Sequence, residues 1–426
     1  MDEISKVDDI KMTAELLIVN ASQMLMPVEH ENGFGALKIV ENGAVACAGG
    51  EIIACGATDE LLGRIDRDTG TTIIDASGKL IAPGFIDPHT HPVFHGTRER
   101  EFVMRLQGKS YREIAESGGG IRSSVRNLRK ASEEELLKGV LRHLDIFLKH
   151  GTTTIEAKSG YGLSMADEIK SLRVIQAANT MHPVDLVPTF LGAHEIPDEY
   201  RDRRGYYIDM LIREMMPRVK EEGLAEFCDV FCEEHVFNVE ESRRILTAAQ
   251  DLGFKIKIHA DQLAAGTGSS LSAELHAVSA DHLDYITDEA VEQLKKQGVT
   301  PVLLPGAVFY LGLKKYAPAR KMIDNGLPVA IATDYNPGSC MTESMPIIMT
   351  IACIQMKILP QEAWIAATLN AARAVDRHEK YGRMDANANA DIVIWNIPNA
   401  DYLTYHFGIN HAHTVIKSGK IVYEVH

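Results

Sequence analysis

"APGFIDPHTHPVFHGTRERE" occupies residues 82–101. It opens as an apolar run of strand length and ends in charges, with His89, His91 and His95 between. Side chains two apart on a strand point to the same face, so His89 and His91 reach toward one point. A neutral imidazole is a good ligand for zinc or iron. The spacing alone is not specific. His411 and His413 in "NHAHT" repeat it near the C-terminal end, where they read as structural. The surroundings of each pair decide between the two readings.

The quoted stretch begins the first of eight similar runs. The others are "TTTIEAKSG" (152–160), "DLVPTFLGAHE" (185–195), "EFCDVFCEEH" (226–235), "FKIKIHAD" (254–261), "AVSADHL" (277–283), "TPVLLPG" (300–306) and "PVAIATD" (328–334). Helix-like segments such as "SEEELLKGVLRHLDIFLKH" and "TDEAVEQLKKQG" lie between them. Strands alternating with helices predict a parallel sheet, and eight such units predict a (β/α)8 TIM-like barrel. The runs end in His91, Lys158, His194, His235, His259, His282, Pro305 and Asp334. In such a barrel the active site lies at the C-terminal ends of the strands. His89, His91, His259 and Asp334 then converge on one ion, with Asp334 also able to take a proton from water. The competing reading of Asp334 is a buried turn cap.

The flanks differ. Residues from about 12 to 80 and the last forty or so carry short apolar or alternating runs broken by Gly and Asn, and "HTVIKSGKIVYEV" holds a hairpin turn. Both ends together predict one small β-sandwich domain. The expected division is 1–80 and 376–426 for that domain and 81–375 for the barrel.

The chain has 426 residues, enough for one large domain and a smaller one. A formal net charge of -15 argues against nucleic acid or an anionic membrane as the main partner. It leaves a small anionic substrate open, because a local arginine outweighs a distant field. No apolar stretch reaches the roughly 18 residues of a membrane span. The acidic start "MDEISKVDDIKM" lacks the apolar core of a signal peptide. The six cysteines form no CxxC pair, which predicts neither a disulfide framework nor a cysteine zinc site and favours a reducing cytoplasm. "ESGGGIRSS" (116–124) lacks the lysine and spacing of a P-loop. It reads as part of a lid or substrate-side loop over 96–125.

Beyond these patterns, "PGFIDPHTHPVFHGTRE", "RLQGKSYREIAESGGGIRSSVR", "GTTTIEAKSGYGL", "FLGAHEIP", "DVFCEE", "SADHL" and "ATDYNPGS" resemble the amidohydrolase superfamily. The second and third resemble one branch of it, the ring-opening hydrolases of histidine breakdown. The resemblance implies cleavage of the cyclic amide of 4-imidazolone-5-propanoate to N-formimidoyl-L-glutamate, with one zinc or iron ion per subunit in a homodimer. It implies His89, His91, His259 and Asp334 as metal ligands. It implies Arg98, Tyr161, His194, Asn336, Gly338 and Ser339 as substrate contacts, and His282 as the residue that orients or deprotonates water. Gln262 stands where some relatives carry a glutamate. As an amide it can hydrogen-bond the ring but cannot shuttle a proton.

These roles suit the chemistry. Arg98 can grip a carboxylate with its planar fork, though a surface pair with Glu99 or Glu101 is the plainer reading. Either the metal or His194 would polarise the ring carbonyl. Tyr161 and His194 could equally be satisfied core residues, and Asn336 and Gly338 a simple turn. Glu156 and Lys158 share a strand face and predict a local ion pair rather than a second metal. His235 is expected to be accessory. An amidohydrolase-type deaminase acting on a heterocyclic base is the alternative activity, and a non-catalytic scaffold is the reading from another class.

Overall fold

A computed structural model of the chain describes residues 12–109, 113–114 and 117–425. The acidic first stretch, through residue 11, and residues 110–112 and 115–116 of the expected lid lie outside the described residues.

Eight parallel strands follow one another in sequence order around a barrel. They are β1 (Phe85–Asp87), β2 (Thr152–Lys158), β3 (Asp185–Ala193), β4 (Phe227–Cys232), β5 (Lys255–Ala260), β6 (Ser279–His282), β7 (Thr300–Leu303) and β8 (Ala330–Ile331). β1, β2, β6, β7 and β8 are buried along their whole length; β7 and β8 are chiefly apolar, whereas β1, β2 and β6 also bury Asp87, Glu156, Lys158 and Asp281. Helices alternate with the strands. The early ones are α1 (Glu99–Leu106), α2 (Ile121–Lys130), α3 (Glu133–Lys149) and α4 (Met165–Met181). α3 starts in a capping box between Ser132 and Glu135, and its buried stripe is Leu136, Val140, Leu144 and Phe147. That spacing is the helical period, so one face meets the barrel.

β8 is only two residues long, and side chains complete its junction with β1. The Asp87 carboxylate accepts from the Thr333 backbone N–H at 3.1 Å and from the Thr333 hydroxyl at 2.6 Å. One layer up, Asp334 N–H donates to His89 O at 3.1 Å and His91 N–H to Tyr335 O at 2.9 Å. This seam sets Asp334 beside the paired histidines.

A second eight-stranded sheet draws on both ends of the chain. Leu80–Pro83 belongs to it, pairing with Leu16–Val28 and with Ile392–Trp395, and Gly84 alone separates it from β1. Alternate residues of Leu16–Val28 enter two cores: Leu16 and Ile18 one, Leu17 and Val19 the other. His411 and His413 lie here, bonded to His406 O and to the Thr414 hydroxyl. Among the described residues, no helix is long and apolar enough to cross a membrane.

Lys417 joins this sheet to the barrel. Its Nζ lies 2.6 Å from Asp391 Oδ2 and 2.6 Å from Asp185 Oδ2 on β3. Removing one partner strands a buried charge. Lys417→Met is expected to cost about 3 kcal/mol, seen as a lower chemical-denaturation midpoint. A midpoint equal to that of the parent chain would refute this joint.

Candidate active site

His89 and His91 continue directly from β1, His259 lies within β5, His282 ends β6 and Asp334 follows β8. All five are buried at the C-terminal mouth of the barrel. His89 Nε2 is 3.3 Å from His91 Nε2 and 3.7 Å from Asp334 Oδ1, and His91 Nε2 is 3.5 Å from the same oxygen. A tetrahedral ion with bonds of about 2.1 Å separates its ligand atoms by about 3.4 Å, so the spacing suits one ion. Among the described residues, three triplets of mutually close ligand atoms share His89: one with His91 and Asp334, one with His259 and His282, and one with Glu156 and Asp281 in the layer beneath. Buried His259 Nε2 and His282 Nδ1 have no hydrogen-bond partner. A buried nitrogen without a partner is costly, and a cation resolves that cost. The donor set therefore fits a divalent ion held by imidazole and carboxylate.

Burial holds His89, His91 and His282 well below the usual histidine range, so they stay neutral and offer lone pairs. Burial pushes Asp334 up to about 7, against His259 and the hydroxyl of Ser339. His282 and Asp334 both have left-handed backbones, with φ of 77° and 52°. For residues other than glycine this costs on the order of 1–3 kcal/mol each, and such strain gathers at functional sites.

Beneath the histidines lies a layer of charge with no access to water. Lys158 Nζ sits 2.8 Å from Glu156 Oε1 and 2.7 Å from Asp229 Oδ2, so the expected ion pair is present within a larger set. Lys257 Nζ sits 3.1 Å from Glu156 Oε2 and donates to Pro88 O at 2.7 Å. Asp281 Oδ2 meets His89 Nδ1 at 2.6 Å, and Asp229 Oδ2 lies 2.9 Å from His259 Nδ1. These carboxylates fix the outer nitrogens and turn both Nε2 atoms toward the mouth. Burial alone would raise the Asp229 carboxyl, but His259 and Lys158 hold it well below the usual range.

The sequence reading did not single out Asp229, Lys257 or Asp281 for the site. A signal existed: Lys257 is two before His259 and faces the same way. Strand register places Asp229 beside Lys257, and His259 beside Asp281.

The expected substrate contacts ring the mouth. Tyr161 is buried, its ring 6.0 Å from His91 and 5.3 Å from His194. His194 stacks on His91 at 5.1 Å, and its Nδ1 lies 2.9 Å from Gly160 O. A carbonyl only accepts, so Nδ1 carries the proton. Burial pushes His194 down to about 3, so the ring is neutral and Nε2 presents a lone pair. In that form Nε2 can accept a hydrogen bond and has no proton to donate to a carbonyl. Glu168 on α4 accepts from the N–H groups of Gly160, Gly162 and Leu163, fixing the turn that carries Tyr161.

Asn336 spends its side chain on its own turn. It donates to Asp334 O and Ser339 Oγ and accepts from Gly338 and Ser339 N–H. Ser339 Oγ lies 3.3 Å from Asp334 Oδ2. The Arg98 guanidinium packs on Gly338, where a Cβ would come within 2.3 Å of Nη1. Gln262 is half-buried at the rim and its backbone N–H donates to Glu233. His235 is exposed.

Two outcomes follow. Asp229→Asn is expected to weaken metal affinity by about 10- to 100-fold in a chelator competition, as loss of an outer carboxylate does; parent-like affinity would remove Asp229 from this role. In metal-free protein, Asp334 must lose its proton before it can bind an ion. Affinity should therefore fall as pH drops below about 7, while the depressed histidines stay neutral. An affinity independent of pH between 6 and 8, roughly one unit either side, would refute this.

The amidohydrolase family profile matches residues 80–422. Imidazolonepropionase of Alkaliphilus metalliredigens is 46% identical over 419 residues, covering 96% of this chain and 98% of that protein. Imidazolonepropionase of Geobacillus kaustophilus is 48% identical over 410 residues, covering 96% of each. Among solved structures, 5-methylcytosine deaminase from Klebsiella pneumoniae superposes with a TM-score of 0.73 at 18% identity, over 96% of this chain and 98% of that one. E. coli guanine deaminase gives 0.72 at 14% identity, over 96% and 99%. Likeness at such identities shows the fold alone, whereas the near-full-length matches carry the closer kinship. The chain belongs to the amidohydrolase family and, within it, to the imidazolonepropionases.

Proposed function

We propose that this chain hydrolyses the cyclic amide C–N bond of 4-imidazolone-5-propanoate, giving N-formimidoyl-L-glutamate in histidine breakdown toward glutamate. The observation that carries the reading is 46% identity to an imidazolonepropionase across 96% of the chain. The chemistry of the mouth supports it. His89, His91, His259 and Asp334 would hold one zinc or iron ion per subunit, and such an ion supplies a water-derived nucleophile near neutral pH.

The remaining steps belong to the side chains. His282 orients the attacking water and Asp334 accepts its proton. Attack falls on the ring carbonyl carbon, the C–N bond breaks, and the leaving nitrogen takes the proton from Asp334. Arg98 grips the propionate carboxylate with its planar fork. His194 accepts a ring N–H through Nε2, and Tyr161 closes the wall beside it. Gln262 hydrogen-bonds the ring and moves no proton. Asn336, Gly338 and Ser339 shape the turn on which Asp334 and Arg98 rest. In this reading the barrel within 81–375 carries the chemistry, and the described parts of 1–80 and 376–426 form the small β domain, whose sheet also takes in Leu80–Pro83. The enzyme acts as a cytoplasmic homodimer, the commonest closed assembly.

The test is the ultraviolet absorbance of 4-imidazolone-5-propanoate with purified protein. Decay should be fast, stop after chelation and return with zinc or iron. No decay with metal restored, or ammonia release from a purine or pyrimidine instead, would overturn the proposal.

A further inference from the structure

Glu101 is an acidic residue turned inward on the first turn of α1 and buried. Its neighbour Glu99 is exposed and bonds Thr97. Glu101 Oε2 accepts from Arg98 Nη2 at 2.6 Å. Its other oxygen accepts the backbone N–H of Gly120 at 3.1 Å, at the start of α2. Gly119 beside it leaves no room for a side chain: a Cβ there would lie 2.9 Å from Glu101 Oε1. On its far side the guanidinium meets the backbone of Gly338. Arg98 is thus clamped between a buried carboxylate and the turn that carries Asp334. Its Nε is buried without a partner, so a donor remains for a ligand.

An exposed pair three residues apart contributes little, because both side chains keep their freedom and water screens the charges. This pair differs, since one carboxylate holds two separate elements in register. A long arginine side chain that is already fixed loses less freedom when it grips an anion. We propose that Glu101 is a positioning residue. It holds Arg98 and the 118–120 glycine turn as one unit, and thereby sets selectivity for a substrate bearing a carboxylate arm. The inference rests on the proposed function and deepens it.

The test compares Glu101→Gln and Glu101→Asp with the parent enzyme. KM and kcat are measured with 4-imidazolone-5-propanoate, and the propanamide analogue is followed as a competing ligand. Glu101→Gln removes the ion pair and leaves one acceptor oxygen where Arg98 and the Gly120 N–H now use two, so KM for the acid should rise about tenfold, with kcat within about twofold. Inhibition by the uncharged amide should move by less than about twofold, because that ligand gains little from the guanidinium. Glu101→Asp keeps the charge on a shorter arm and should raise KM by a smaller factor. A structural role alone would weaken acid and amide alike or lower kcat, and that result would overturn the proposal. If Glu101→Gln does not fold, the Asp variant decides: a KM equal to the parent's overturns it. If the parent enzyme itself does not turn over the acid, the proposed function has failed. If the parent works and both variants match it, only the role of Glu101 falls.

Discussion

Glu156, Asp229 and Asp281 share the barrel interior with Lys158 and Lys257, all shut off from water. Each charge would be prohibitively costly alone, and each is tolerable only because the others are in place. The layer does more than balance itself. It has one carboxylate to spare, and Asp229 and Asp281 reach past the lysines to the outer nitrogens of His259 and His89. Carboxylates under imidazoles that burial keeps neutral, those of His89, His91 and His282, make the mouth a favourable place for a cation. The orientation of the histidines and the field they sit in thus have one origin.

Above that layer the chain accepts strain. His282 and Asp334 hold left-handed backbones, which cost free energy for any residue with a side chain, although His and Asp enter that region more readily than most. Neighbours hold them there: Leu283 N–H bonds Ala260 O, and Asp334 N–H bonds His89 O. The turn after β8 is stapled by Asn336, so the aspartate is presented by a rigid loop. His194 is tuned differently, by a single hydrogen bond that decides which nitrogen keeps its proton.

Much of this is legible in the sequence. The eight strands stood out because a sheet buried on both faces must be apolar, and the site residues stood out because they interrupt those runs at the same end. The layer of charge was harder to read. Asp229, Lys257 and Asp281 each look like a stray polar residue in an apolar strand, and only the register between strands reveals that they meet. Leu80–Pro83 and β1 merge into one apolar run in sequence, yet they lie in different sheets, because Gly84 gives no hydropathic mark of the crossing. Asn336 illustrates the opposite limit. Its residue type suits a ligand contact, and the sequence does not show that its side chain also staples its own turn.

The junction of β1 with β8 has a further consequence. There the barrel is held by a carboxylate, a hydroxyl and a few backbone bonds rather than by a long strand ladder. His89 and His91 stand on one bank of this junction and Asp334 on the other. A ligand gripped from both banks therefore rivets the ring shut, and by thermodynamic reciprocity a tighter ring grips that ligand more strongly. Mechanical closure and site affinity are in this molecule a single coupled property, located at one joint.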